Sequence, residues 1–167
     1  MLVYHGSNVV VSEPQILLSK YRKDFGAGFY CTTLKSQAER WALRKATGED
    51  DAIISIFEYS PDENLAIKSF RGLDDEWLEI IAAGRSGRLD ACQPYDIIEG
   101  PMADDTVWDY VADYLDGNIS KAAFRELTRF RHPTHQIAFV SQRALTTLRF
   151  LRWESAFEED INGSNLK

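Results

Sequence analysis

Cysteine is scarce: the 167-residue chain has two, Cys31 and Cys92. Two thiols are too few for a disulfide framework or a four-thiolate zinc cluster. An excess of positive charge is also missing. Lys and Arg number 19 against 26 Asp and Glu, for a net charge of −7. That excludes a uniformly basic nucleic-acid surface and leaves only local patches, for which Arg85, Arg88, Arg125, Arg129 and Arg131 are candidates. No apolar run approaches the roughly 18 residues of a membrane span, so no membrane partner is expected. The opening MLVYHGS lacks the charged start and apolar stretch of an export signal and reads as a strand. A cytoplasmic protein with reduced thiols is the expectation. Repeats and linkers are absent too. What is present is 44% hydrophobic and 12% aromatic residues, enough for a packed core. A chain of this length buries roughly 68–70% of its unfolded surface. The reading is one domain over residues 1–157 and a polar tail, 158–167, that frays.

Leu2–His5 is a short apolar run ended by Gly6-Ser7-Asn8, which is strand followed by turn. Asp24 to Thr33 places two glycines before a β-prone stretch, a turn feeding a strand. Ser36 to Ala46 has helical spacing, Ser36 and Glu39 have the form of a capping box, and Gly48 suits its end. Ala52–Tyr59 is the clearest strand, with a second expected at Ala66–Phe70. Asp74–Ala83 reads as a helix with acidic residues at its positive end, and Gly84–Asp90 as a loop. A strand at Tyr95–Glu99, helices at Thr106–Leu115 and Ser120–Phe130, and a strand at Gln136–Val140 follow. Ala144–Trp153 suits either helix or strand. The order gives an α+β fold rather than a regular βαβ alternation.

Several motifs fail on context. Asp24-Phe25-Gly26 matches the kinase magnesium triplet in letters, but no phosphate loop, His-Arg-Asp or lysine-bearing strand accompanies it. Gly26-Ala27-Gly28 lacks the third glycine and following helix of a dinucleotide fingerprint. His132-Pro133-Thr134-His135 has a proline that breaks ligand spacing and no third ligand nearby, so no metal is expected and a loop with exposed histidines is preferred. Arg85-Ser86-Gly87-Arg88 reads as a solvated loop, and Asp104-Asp105 as a helix N-cap.

Three segments carry polar or aromatic groups on short apolar strands: Tyr4-His5-Gly6-Ser7, Gly26 to Thr32, and His135 to Phe139. Taken singly, His5 also suits a core histidine, Tyr30 a core aromatic and Gln136 a solvent-facing residue. In this order they resemble the ADP-ribosyltransferase fold, in its diphtheria-toxin-like and poly(ADP-ribose)-polymerase-like branch. Those enzymes carry His-Gly-Ser or His-Gly-Thr on a first strand, then a glycine-rich turn with Gly-x-Tyr, then an acidic residue opening a late strand. The run over residues 1–150 is also similar to a bacterial family of that fold, through Tyr4–Ser7, Asp24–Tyr30, Gln37–Ala42, Tyr95–Pro101 and Ala103–Asp105.

The resemblance implies a split, antiparallel and mixed sheet with flanking helices, and NAD as substrate. Cleaving the nicotinamide–ribose bond makes a sugar cation much as glycoside hydrolysis does. His5 would hydrogen-bond the adenosine ribose, and Gly6 would offer its backbone to the carboxamide, with Ser7 completing the motif. Tyr30 would stack on nicotinamide and Trp41 would form the other wall, unless Trp41 is a helix-core residue. Asp24, Phe25, Gly26 and Gly28 would form a loop over the cofactor. Gln136 stands where the transferring enzymes carry glutamate. It still accepts a hydrogen bond but brings no charge. A slower mono-transferase, a carboxylate borrowed from Asp104 or Asp105, and NAD binding without chemistry are the three outcomes. An NAD glycohydrolase and an interaction domain without nucleotide are the remaining alternatives. Implied partners are a protein or nucleic-acid acceptor and, in a toxin–antitoxin arrangement, a small antitoxin over the cleft.

Overall fold

A computed structural model describes residues 1–16, 23–47, 51–86, 94–129 and 134–157. Gly48, Arg88, Cys92, Arg131, His132 and the tail 158–167 lie outside the described residues. The fold is α+β. Its strands are β1 (Leu2–Ser7), β2 (Phe29–Cys31), β3 (Ile53–Tyr59), β4 (Ile67–Ser69), β5 (Ile97–Gly100), β6 (Gln136–Phe139) and β7 (Leu148–Ser155). Its helices are α1 (Lys35–Lys45), α2 (Asp75–Ser86), α3 (Asp105–Leu115), α4 (Lys121–Thr128) and the short α5 (Gln142–Leu145).

Two sheets form, an antiparallel one in the order β1-β3-β7 and a mixed one in the order β2-β6-β5-β4, with β4 parallel to β5. They meet at one bridge, where Tyr4 and Thr32 exchange backbone hydrogen bonds of 2.8 and 2.9 Å. Apolar residues divide into three clusters that stack the layers. Val3, Phe29, Phe57, Ile137 and Phe139 pack between the sheets. Ala38 and Ala42 of α1 cover Ile54 and Ile56 on the outer face of the three-stranded sheet. Trp77, Leu78, Ile81, Val107, Val111 and Phe124 cover Ile98 and Ala138 on the outer face of the other. β3 is buried along nearly its whole length because it is central in its sheet and covered on both faces.

Local chemistry differs from expectation at three places. α1 starts at Lys35 with Leu34 as its N-cap and no side-chain cap, so Ser36 and Glu39 form no capping box. α2 runs through Gly84 to Ser86. A Cβ at Gly84 would lie 2.3 Å from the Asp24 carbonyl oxygen, so the glycine admits the Asp24 backbone against the helix rather than ending it. The stretch after Phe139 resolves into both alternatives, α5 and then β7, with Ser141 capping α5 through Ala144 N–H.

Candidate functional site

Strand alternation defines what the seam between the sheets presents. The Met1 carbonyl accepts from Tyr59 N–H, so odd-numbered β1 residues bond β3, while Tyr4 bonds Thr32. Gly6 therefore turns its N–H and C=O toward β2, opposite Tyr30, where the pairing has ended. Gly6, Tyr30 and Gln136 share the outer face of the joined sheets, since Tyr30 pairs with Ala138 and Gly100 with Gln136. His5 projects from the inner face. Its ring stacks on Phe29 at 4.5 Å, and its Nδ1 lies 2.7 Å from the Tyr30 carbonyl oxygen. His5 thus stands across the strand from Tyr30 and Gln136 rather than beside them, joined to them at the seam by that hydrogen bond.

Burial, opposed by the Tyr30 carbonyl, pushes the His5 pKa down to about 4, with Lys23 and Lys45 adding to the fall. The ring is neutral at pH 7. Nδ1–H donates to the carbonyl and Nε2 is left as an acceptor. Asp96, at the far end of the sheets, is held down to about 2 by its hydrogen bond from Arg143, with Ser141 and Ala66 N–H also donating. Both groups bind protons in the unfolded chain before they do in the folded one, so both stabilise the fold at neutral pH. The His5 contribution is lost as pH falls from about 6.5 to about 4, and that of Asp96 between about 3.8 and 2. The urea midpoint is expected to fall in both windows. In His5→Phe the first fall should shrink to the part due to His135, whose pKa burial also lowers. An unchanged acid profile in that variant would contradict the assignment.

The loop before β2 is pinned from both ends. Gly26 has φ of +78°, a conformation that glycine adopts freely. The Tyr30 hydroxyl donates to Gly26 O at 2.7 Å and accepts from Phe25 N–H at 3.1 Å. Phe25 is fully buried and stacks near Phe70, so it anchors the loop in the core and is no part of a cofactor surface. Gly28 is small because a Cβ would lie 2.9 Å from the Phe139 carbonyl oxygen, a packing reason rather than closure over a ligand. Gly6 has a packing reason as well: a Cβ there would lie 2.1 Å from the Ala38 carbonyl oxygen of α1. Ser7 Oγ donates to Val9 O in the following turn. The Lys23 ammonium lies 4.6 Å over the Tyr30 ring.

Gln136 is buried and sits on a buried acid. Its Nε2 donates to Asp24 Oδ2 at 2.9 Å and to Pro101 O at 3.3 Å. Both amide hydrogens are thereby used, and Oε1 is the acceptor end. Asp24 also takes Arg85 Nε at 2.8 Å and Ala103 N–H at 2.9 Å. The carboxylate beside Gln136 is thus Asp24. Asp104 caps α3 by accepting from Val107 N–H, and Asp105 is exposed at the first position of that helix, so neither is the carboxylate that touches Gln136.

Other residues gain roles that local patterns did not suggest. Arg85 is no solvated loop residue: it pairs with Asp24 and lies 4.5 Å over the Trp108 ring. Gln37, buried at the start of α1, clamps the His135 backbone, donating to its carbonyl at 2.6 Å and accepting from its N–H at 3.1 Å. His135 is half-buried, accepting from Thr33 N–H at Nδ1, and is not an exposed loop histidine. Trp41 lies one turn beyond Gln37 on the same side of α1. It is 37% exposed, so it is no core residue. The Cys31 thiol is buried and pushed up by that burial. Among the described residues no cluster of His, Cys, Asp or Glu could hold a metal ion, and no helix is long and apolar enough to cross a membrane.

Residues 1–150 match a family described as a protein of unknown function, DUF3990. No curated protein matches the chain.

Proposed function

The chain belongs to the DUF3990 family, and we propose that it binds NAD at the β1–β2 seam and transfers ADP-ribose to a macromolecular acceptor. The observation that carries this is the parting of the two strands after Tyr4 and Thr32, which turns the N–H and C=O of Gly6 toward Tyr30. A carboxamide offers one N–H donor face and one carbonyl, the complement of such an edge. The nicotinamide ring of NAD is a cation. The Lys23 ammonium over the Tyr30 ring repels such a cation, so stacking there requires Lys23 to swing off that face first. Gln136 would offer Oε1 to a ribose hydroxyl on the outer face, while His5, on the inner face, reaches this site through its hydrogen bond to the Tyr30 carbonyl. Trp41 supplies an exposed aromatic wall on the same side.

Transfer is the first reading. Binding without turnover is the second, and a specific feature favours it: Asp24, the acid behind Gln136, is already paired with Arg85. Little uncompensated negative charge then faces a developing sugar cation. As a toxin-like transferase the chain would need a small antitoxin protein over the seam in its own cytoplasm.

NAD at a hundredfold excess over its dissociation constant should stabilise the fold by about 2.7 kcal/mol in a thermal melt. Trp41→Ala should leave the melting temperature of the free protein nearly unchanged, because the side chain is exposed. It should weaken NAD by the roughly 0.5–1.5 kcal/mol of a lost stacking contact. A flat melt at millimolar NAD ends this proposal. With labelled NAD and lysate, label on a macromolecule means transfer, free nicotinamide alone means hydrolysis, and saturable binding without either supports the second reading.

A further inference from the structure

β7 (Leu148–Ser155) is an outer strand of the order β1-β3-β7, and among the described residues it pairs with β3 alone. Tyr59 N–H donates to the Met1 carbonyl, so odd-numbered β3 residues bond β1 and even-numbered ones bond β7. Arg149, Arg152 and Glu154, opposite Glu58, Ile56 and Ile54, therefore spend their backbone groups on β3. Leu148, Phe150, Trp153 and Ser155, opposite Tyr59, Phe57, Ser55 and Ile53, turn their N–H and C=O away from the sheet. The register shifts between Ile56 and Phe57, which leaves Leu151 as an extra residue in a bulge. The bulge puts Phe150 and Trp153 on the same, inner face, where a regular strand would divide them between faces. Phe150 packs on the core between the sheets, whereas Trp153 is 50% exposed. A long edge with outward backbone groups is a template for another strand.

We propose that this edge pairs with the same edge of a second copy of the chain, antiparallel, about a two-fold axis beside Leu151 and Arg152. Leu148 then faces the second copy's Ser155, Arg149 its Glu154, Phe150 its Trp153 and Leu151 its Arg152. Each outward-turned residue meets an outward-turned residue, so the backbone groups of both edges are satisfied. Partners in the first three pairs also share a face, since each set lies opposite β3 residues of one parity. A regular strand does not allow this register, because its paired residues would differ in parity. Bulges and exposed charges commonly discourage edge pairing; here the bulge is what makes the edge self-complementary. The aromatic pair Phe150–Trp153 and the opposite charges of Arg149 and Glu154 are cross-strand pairs that stabilise a sheet. Arg149 already lies on Glu58, and Glu154 on Lys35 and Arg152, so the new contacts extend an alternating row of charge. Neighbouring registers are worse. They set outward residues against inward ones, as Phe150 against Arg152, or like charges together, as Arg149 against Arg152. The β1–β2 seam lies at the other edge of the three-stranded sheet, so the dimer leaves it open. The contact is isologous and closes after two copies, which makes a dimer rather than a filament.

The test is sedimentation equilibrium of the full chain without NAD, joined to amide hydrogen exchange read residue by residue by NMR. One strand edge is a small interface, so the dimer should be weak and is sought between about 1 and about 200 µM. The parent should pass from monomer to dimer over that range and go no further. Trp153→Lys should weaken the dimer at least tenfold with the melting temperature of the dilute protein nearly unchanged, because the side chain is exposed. Leu43→Lys, at an exposed apolar position on α1, should dimerise like the parent. Exchange supplies the readout that does not depend on a variant. The amides of Phe150 and Trp153 should exchange fast in the monomer and slowly in the dimer, while those of Arg152 and Glu154, bonded to β3, should be slow in both. A chain that stays monomeric at the upper concentration overturns the proposal, whatever its amides do. So does a dimer that Trp153→Lys leaves equally tight, or one in which the Phe150 and Trp153 amides exchange as in the monomer, since either would place the contact elsewhere.

Discussion

Gln136→Glu should weaken the protein by about 3 kcal/mol at pH 7, the scale of burying an unpaired charge, and should slow any transfer rather than speed it. The side-chain amide donates to Asp24 Oδ2 and Pro101 O. A carboxylate of the same shape loses both donors and faces a second carboxylate at 2.9 Å. Two acids so close share a proton, and the pKa of the pair rises. A raised folded pKa means that the penalty is small below the ordinary carboxylate range near 4 and grows as pH rises above it. The urea midpoint gap between variant and parent should therefore be wider at pH 8 than at pH 5. Asp24→Asn alone should also cost about 3 kcal/mol, because it leaves Arg85 without its buried partner. The double variant Asp24→Asn/Gln136→Glu restores one acid facing one amide, so its loss should be smaller than the sum of the two. Additive losses would show that the two side chains do not act on one another. Asp105→Asn, at an exposed helix start, should change stability by less than about 0.5 kcal/mol.

What the sequence could reveal was local. The run Ile53–Tyr59 is legible as a strand because seven successive residues of β-prone, largely apolar character leave one reading. The helix expected from Ser120 is found as α4, with Ser120 as its N-cap, accepting from Ala123 N–H. The same logic misled at Ser36. The helix there is started by Leu34 and held by Gln37, whose partner is 98 residues away. Gly84 reads as an end because its reason for being small, the Asp24 carbonyl, lies far earlier in the chain.

The candidate site divides in the same way. The His5-Gly6 and Gly26 to Tyr30 motifs are visible as motifs, and the bridge Tyr4–Thr32 joins their strands at the parted seam. The hub behind Gln136 is not visible. Asp24, Arg85, Ala103 and Gln136 come from four segments, and the bonds among them span 61 to 112 residues along the chain. A buried acid announces itself only through its partners, and none of these is at helical or strand spacing. The carboxylates expected beside Gln136, Asp104 and Asp105, serve the start of α3 instead.

Gly6→Ala should be among the most damaging single substitutions, for a reason unconnected with any ligand. The new methyl would sit 2.1 Å from the Ala38 carbonyl oxygen and 2.9 Å from the Ala42 nitrogen. Both are helix backbone, so no rotamer change relieves the clash and α1 must move off β1. That movement loosens Ala38 and Ala42 from Ile54 and Ile56. Overpacking of this kind costs about 3 kcal/mol or more. Gly72→Ala is the control, since a Cβ there meets nothing within 4 Å, and it should be near neutral. Ala38→Gly should not rescue Gly6→Ala, because the obstructing atom is the carbonyl oxygen and not the alanine methyl. The same variant separates two roles of Gly6. If its small size served only the approach of a carboxamide, Gly6→Ala would melt like the parent and lose NAD alone. The distances require the fold itself to weaken, and on the proposed NAD site any stabilisation by NAD would go with it as α1 and Trp41 shift away from the seam. A parent-like urea midpoint for Gly6→Ala would remove α1 packing as the reason for glycine at this position.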